Sequence, residues 1–173
     1  MVRGVNEAGE ASVYAFSGLG VLVASERRGV RRDYVTDLTS ECRRVLMEID
    51  DELTVRYTYG VVRNSVNIAP TAGSGESVLH MHLHTDRLGS TRFATHGSGA
   101  VLGWVSYDAW GSRTGGVDMA VAVLGGDAPI LRGIVLQNYT GHRFDDVLGL
   151  YFAQARMYDP VTRQKEMLYF TEK

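Results

Sequence analysis

Three histidines at alternate positions, His80, His82 and His84, have the spacing that could most directly support chemistry. Residues two apart on a β-strand point to the same face of a sheet. Imidazole nitrogens on one such face can ligate zinc, and a carboxylate such as Asp86 could complete the site. The sequence places no further ligand at a defined spacing, so ordinary strand-face histidines fit the same pattern. We expect no bound metal and no cofactor, and we keep a metal-dependent enzyme as a third hypothesis.

Adjacent carboxylates at Asp145 and Asp146 are a second candidate for acid–base chemistry, because two close carboxylates can share a proton. Aspartate also caps turns by accepting hydrogen bonds from backbone N–H groups, and we expect this role here and at Asp86 and Asp108. The single cysteine, Cys42, lies in an apolar stretch and is expected to be a buried thiol. No glycine-rich segment carries the lysine and following helix of a phosphate-binding loop.

The composition is that of a globular, single-domain protein. The chain has 173 residues, of which 45% are hydrophobic and 22% charged, and its formal net charge is −2. This balance argues against a nucleic-acid partner, since such domains carry a basic face. The arginine pairs Arg27–Arg28, Arg31–Arg32 and Arg43–Arg44 are expected to be solvated. No apolar run approaches the roughly 18 residues of a membrane span, and no signal peptide is evident, so localisation is left open.

Short β-strands joined by tight turns must position these residues. From His84 to Gly111, runs rich in Val, Tyr, Trp and Thr alternate with turns that contain Gly and Asp, which is a hairpin pattern. We expect Leu88 and Phe93 to be apolar anchors. We expect Gly89 and Gly111 to adopt the positive φ that such turns need.

The remaining segments extend the same pattern. Residues 53–59 alternate as a half-buried strand does, and Cys42 to Ile49 favours a strand over a helix capped by Ser40. Residues 119–124 and 130–136 are expected to be short buried strands, residues 69–77 an exposed loop, and residues 1–10 a flexible N-terminal arm. Units of an aromatic residue and a glycine recur roughly every 20 to 50 residues, which is typical of a repetitive β array.

Three tracts together resemble the RHS/YD-repeat family, which occurs in bacterial polymorphic toxins and, more distantly, in animal teneurins. HTDRLGSTR resembles the family tract HTDHLGST-R, YDAWG resembles YD-WG, and the segment from YTGHRF to ARMYDP resembles FTGQ-YD-ETGLYYFRARYYDP. The matching positions are His84, Asp86, Leu88, Gly89, Ser90, Thr91, Arg92, Tyr107, Asp108, Trp110, Gly111, Gly141, Gly149, Leu150, Tyr151, Arg156, Tyr158, Asp159 and Pro160.

This resemblance implies an all-β fold in which antiparallel β-hairpin (YD) repeats form a curved sheet or part of a β-barrel-like shell. It implies a single domain over residues 1–173, with residues 112–136 as a divergent insertion. In the family, this core belongs to a large shell that wraps a toxin. The implied partners are the remainder of such a shell, a toxin domain or further copies of the chain, with secretion or cell-surface delivery. A β-sheet module that binds protein or glycan is the alternative.

The resemblance supplies one weak catalytic candidate, Asp159. Family members cleave themselves with two Asp-Pro tracts and so release the toxin. This chain keeps Asp159–Pro160 but has Arg163 where the glycine is usual, and it has no second Asp-Pro downstream. Two carboxylates must be held close for one to act as base and the other as acid. We therefore expect no self-cleavage and no catalytic residue.

Overall fold

The computed structural model describes residues 1–39, 43–72, 79–118, 138–153 and 156–167, and within these ranges the fold is all-β, as predicted. The first eleven strands form one antiparallel sheet in chain order: β1 (Val2–Val5), β2 (Ala11–Phe16), β3 (Leu22–Arg27), β4 (Val30–Thr36), β5 (Val45–Ile49), β6 (Leu53–Tyr59), β7 (Arg63–Pro70), β8 (Leu79–Thr85), β9 (Thr91–His96), β10 (Val101–Tyr107) and β11 (Arg113–Asp118). A second antiparallel sheet contains β12 (Asn138–Tyr139), β13 (His142–Asp145), β14 (Leu150–Ala153), β15 (Arg156–Asp159) and β16 (Gln164–Met167).

Strand β5 settles the choice between strand and helix at residues 45–49 in favour of the strand. Ser40 and Cys42 lie outside the described residues, as do the segments 119–124 and 130–136 and most of the expected loop at 69–77. Within the described part of the chain, no helix is long and apolar enough to cross a membrane.

Five hairpin turns share one hydrogen-bond pattern, and each has a polar residue first and glycine fourth. The turns are residues 6–10, 17–21, 86–90, 96–100 and 108–112. In each, the first N–H donates to the fifth carbonyl, and the glycine N–H donates to the first carbonyl. Consecutive turns begin at residues 6 and 17, and at 86, 96 and 108. Consecutive turns are therefore 10 to 12 residues apart, closer together than the units of an aromatic residue and a glycine that recur in the sequence.

The first side chain of the turn completes this pattern. Asp86 and Asp108 each accept two backbone N–H groups, and Ser17 accepts two at its hydroxyl in the same way. Gly89 and Gly111 follow with φ of +83° and +93°. The predicted caps and the predicted positive φ are thus both present, and the hydroxyl of Ser17 makes the same capping bonds as the two aspartates.

The main hydrophobic core lies on one face of β6 to β10. Its buried members are Val55, Tyr57, Val66, Ile68, Leu79, Met81, Leu83, Ala94 and Leu102. A second core packs the start of the large sheet against the small sheet, with Val2, Tyr14 and Met157 buried and Phe16, Leu22, Leu148, Leu150 and Phe152 around them.

Two expectations about apolar residues are wrong. Residues 2–5 are not a flexible arm but strand β1, since Val2 is 1% exposed and the strand pairs with β2. Leu88 and Phe93 are not buried anchors, because they are 63% and 40% exposed. Leu88 lies in a turn, and Phe93 lies on the outer sheet face, where its ring stacks on His84 with centroids 4.1 Å apart. The turn is held by its capping bonds, and its apolar residue remains in solvent.

Candidate functional site at the sheet junction

The turn at residues 108–112 receives three tyrosine hydroxyls from the small sheet. Each hydroxyl donates to one of three consecutive backbone carbonyls: Tyr139 to Ala109 at 2.7 Å, Tyr158 to Trp110 at 2.8 Å and Tyr151 to Gly111 at 2.8 Å. The tyrosine rings also contact one another, with centroid distances of 5.8 and 6.4 Å. A turn that would otherwise present these carbonyls to water is thereby docked onto the small sheet.

The turn at residues 86–90 also contacts the small sheet. The Thr140 N–H donates to the hydroxyl of Ser90 at 3.0 Å, and Ser90 is fully buried. Ser112 donates to the carbonyl of Pro160 at 3.2 Å. The three tracts that carry the family resemblance therefore meet at one junction, although they are far apart in the sequence.

A buried ion-pair network joins the sheets beside this junction. Both oxygens of Glu48, on β5, accept hydrogen bonds at 2.7 Å from the guanidinium of Arg143, on β13. Tyr57 donates to the same carboxylate at 2.7 Å. Arg32 approaches it at 3.5 Å and pairs with Asp50 at 2.8 Å. Arg32 is 5% exposed, so the expectation that its pair of arginines is solvated is wrong for this residue.

Glu48 is ionised in this environment although it is buried. Burial alone would raise the pKa of the Glu48 carboxyl, but the charges of Arg143 and Arg32 and the hydrogen bond from Tyr57 outweigh it and hold the pKa below 4.5. Burial and the negative charge of Glu48 raise the pKa of Tyr57 well above 10. The groups of this network thus keep fixed charges at neutral pH. Such a network fits a structural link between the two sheets and does not fit a proton-transfer site.

Tyr14 and Asp145 form a second link between the sheets, in which the Tyr14 hydroxyl donates to the Asp145 carboxylate. Asp145 also accepts the N–H groups of Val147 and Leu148, so it caps a turn as expected. Asp146 points elsewhere and pairs with Arg28 at 2.6 Å. The two aspartates therefore have separate partners, which does not support the proton-sharing pair.

The histidines do share one strand face, as their spacing predicts, but each contacts neighbours in the sheet. His80 hydrogen-bonds Asn67, His84 lies 3.0 Å from the Thr95 hydroxyl, and the rings of His80 and His82 meet edge to face at 4.7 Å. Among the described residues, no group of three His, Cys, Asp or Glu side chains could hold a metal ion. We continue to favour a structural role for all three.

Asp159 caps the turn that follows β15. Its carboxylate accepts the Val161 N–H at 2.8 Å and the Thr162 hydroxyl at 2.7 Å. Partial burial opposes ionisation, but these hydrogen bonds prevail and lower the pKa of Asp159. Arg163, where the resembled tract has glycine, adopts φ of +64°, which lies in the left-handed region that glycine favours.

The chain is expected to remain intact because Asp159 is engaged as a turn cap. Intact-mass spectrometry of fresh protein, and of the same protein after days at mildly acidic pH, should give one unchanged mass. Asp159→Asn keeps an oxygen acceptor and should cost only about 1 kcal/mol of stability, from the weaker neutral hydrogen bonds. A discrete product cut within residues 159–173, absent from Asp159→Asn, would contradict this expectation.

Comparison with known proteins identifies a fold but no family. No protein-family model matches the sequence, and no curated protein matches it. The chain is similar to part of the crystal structure of TcdB2–TccC3–Cdc42, with a TM-score of 0.67 and 13% identity over 94% of this chain and 9% of that one.

Two related structures agree. The crystal structure of TcdB2–TccC3 gives a TM-score of 0.65 at 14% identity, over 94% of this chain and 9% of that chain. That of TcdB2–TccC3–TEV gives 0.65 at 16%, over 91% and 8%. The chain thus spans less than a tenth of each of these three chains. At this level of identity, the likeness shows that the all-β fold is shared with part of these complexes.

Proposed function

We propose that the chain is a wall segment of an RHS-type β shell that encloses or presents a polypeptide effector. The resemblance of three tracts to the RHS/YD-repeat family supports this proposal, as does the fold shared with the TcdB2–TccC3 complexes. Under this proposal residues 1–173 form a single unit, and its partners are other shell segments, the effector or further copies of the chain. Secretion or cell-surface delivery belongs to the same proposal and rests on the resemblance.

The observation that carries the proposal is the open large sheet. Within the described residues, β1 and β11 each pair with one strand only. An unpaired strand edge presents N–H and C=O groups that readily accept another strand. The small sheet is clamped across the large one through Glu48 and Arg143. Two linked sheets, and edges at which the large sheet can continue, are the features that support a wall segment.

The register identifies the free groups at the edge of β1. The Asn6 N–H donates to the carbonyl of Glu10, so Asn6 and Glu10 form a hydrogen-bonded pair. Hydrogen-bonded and non-hydrogen-bonded pairs alternate along an antiparallel ladder. Gly4, opposite Ser12, therefore faces β2 with its backbone groups, whereas Arg3 and Val5 direct theirs to the open edge.

Blocking this edge tests the proposal. Arg3→Pro removes an N–H that points away from β2, so no hydrogen bond of the ladder is lost. Proline is tolerated at such sheet edges. We expect the parent and the control Arg3→Ala to associate as concentration rises in sedimentation velocity, and Arg3→Pro to remain monomeric with nearly unchanged thermal stability. A parent that remains monomeric throughout, or a proline variant that associates as the parent does, would count against the wall segment.

A binding module is the second candidate, and an exposed row on the outer face favours it. Phe93, Trp104 and Val117 are register partners on β9, β10 and β11, with 40%, 46% and 47% of their surfaces exposed. Trp104→Ala distinguishes the two functions in the same sedimentation experiment. Association lost in Trp104→Ala but kept in Arg3→Pro would favour the module.

A further inference from the structure

A cleft of about 670 Å³ opens between the two sheets, next to Glu48. Its apolar walls include Phe16, Leu22, Val45 and Phe152. Among the described residues, four arginines also line it, together with His142 and one carboxylate, that of Glu48; the arginines are Arg43, Arg44, Arg63 and Arg143. The volume falls within the range of pockets that hold ligands.

Among the described residues, the charges of this lining do not balance. Glu48 is taken up by Arg143, which chelates both of its oxygens. Arg63 has aromatic neighbours, with its guanidinium 4.2 Å from the ring centre of Tyr57 and its Nε donating to the Tyr59 hydroxyl at 3.4 Å. Among the described residues, no carboxylate lies within 4.0 Å of Arg63. Arg63 therefore brings to the cleft a positive charge that no described carboxylate pairs with.

Arg43 adds a second positive charge at the rim of the cleft. Its Nη1 donates to the carbonyl of Leu19 at 2.8 Å, which holds the guanidinium in place without neutralising it. The described part of the chain places no carboxylate in ion-pair contact with Arg43 either. A guanidinium held by a neutral acceptor keeps N–H donors for an incoming anion.

We propose that this cleft binds an acidic segment of polypeptide, whose carboxylates contact Arg63 and Arg43 and whose apolar residues pack on Phe16 and Phe152. Guanidinium groups match carboxylates through two parallel hydrogen bonds, as Arg143 and Glu48 already do. The apolar walls suit the side chains between the acidic ones. This inference rests on the proposed function, in which the shell faces a polypeptide. It specifies that the polypeptide segment in the cleft is acidic and partly apolar.

Isothermal titration at low ionic strength with a defined probe tests the site. The probe is a short peptide of alternating glutamate and leucine, and its matched control replaces each glutamate by glutamine. We expect the acidic peptide to bind and the control peptide to bind at least about tenfold more weakly, since hydrogen bonds to charged groups are about twice as strong as neutral ones. Equal binding of the two peptides, or no binding of either, would overturn the proposal.

Variants locate the binding. Arg43→Gln and Arg63→Gln should each weaken the acidic peptide by about tenfold, whereas Arg56→Gln, on the exposed side of β6, should leave it unchanged. Arg43 is exposed, so its variant remains informative if Arg63→Gln proves unstable. Binding that is unaffected by both cleft variants would refute this location.

Inorganic phosphate separates a peptide site from a general anion site. Phosphate that binds at least about tenfold more weakly than the acidic peptide supports the polypeptide, and phosphate that binds as tightly overturns it. The proposed function has its own test, because edge association does not involve the cleft. If the acidic peptide does not bind while Arg3→Pro still abolishes association, the cleft proposal is refuted and the proposed function is not.

Discussion

Gly111→Val should lower the free energy of unfolding by about 3–5 kcal/mol, the largest effect expected of a single substitution in a turn of this chain. Two causes add. The backbone of Gly111 has φ of +93°, which strains a β-branched residue. A Cβ at this position would also lie 2.5 Å from Cδ1 of Tyr139, so the ring must move and its hydrogen bond to Ala109 would be lost.

Gly99 provides the matched control. It occupies the same place in a turn of the same pattern, with φ of +89°, but a Cβ there would meet nothing within 4 Å. Gly99→Val should therefore cost only the backbone strain, about 1–3 kcal/mol. Urea denaturation followed by circular dichroism measures both variants. Equal losses in the two would show that Tyr139 does not pack on the turn, and a Gly111→Val protein as stable as the parent would refute the turn assignment.

Glu48→Gln should cost about 3–5 kcal/mol, since it leaves two buried arginines without their shared carboxylate. The amide has nearly the same shape, so the loss reports the missing charge. Glu26→Gln is the matched control, because Glu26 lies exposed on β3 and should change stability very little. Thermal and urea unfolding of the three proteins at neutral pH gives the comparison. Similar stability in all three would mean that the network does not hold the sheets together.

The pH dependence of this loss follows from the lowered pKa of Glu48. A carboxyl whose pKa is lower in the folded chain than in the unfolded one stabilises the fold above its unfolded pKa. That contribution disappears as pH falls through the folded value, which lies below 4.5 here. The stability gap between parent and Glu48→Gln should thus be full at neutral pH and shrink below about pH 4.5. A gap of constant size across this window would show that Glu48 is not the titrating group.

Local pattern was enough to predict several strands and turns of this protein. Alternation at residues 53–59 predicted β6, and the capping residues Asp86 and Asp108 predicted turns that the structure contains. These features depend on neighbours a few residues apart. The prediction of a flexible N-terminal arm was wrong because that segment depends on a distant contact. Val2 is buried partly by Met157, which no local pattern reveals.

The ion-pair network could not be predicted from local pattern. Arg32 and Glu48 occupy strand positions where a charged residue normally indicates a solvated face. They are buried because the small sheet covers them, and Arg143 lies 95 residues beyond Glu48 in the chain. The resemblance named Tyr151, Tyr158 and Gly111 as motif positions but not their contact. One sequence signal was available, since hydroxyl-bearing tyrosines that recur within a buried sheet need acceptors.

The central claim, that the large sheet continues at its edges, is tested most directly by site-resolved amide hydrogen exchange at Arg3 and Val5. The protein is compared when dilute and when concentrated enough to associate. The account predicts that both amides exchange rapidly in dilute solution and become protected on association, while the ladder amide of Gly4 is protected in both states. Association with unchanged exchange at Arg3 and Val5 would contradict it, because the chains would then meet through another surface.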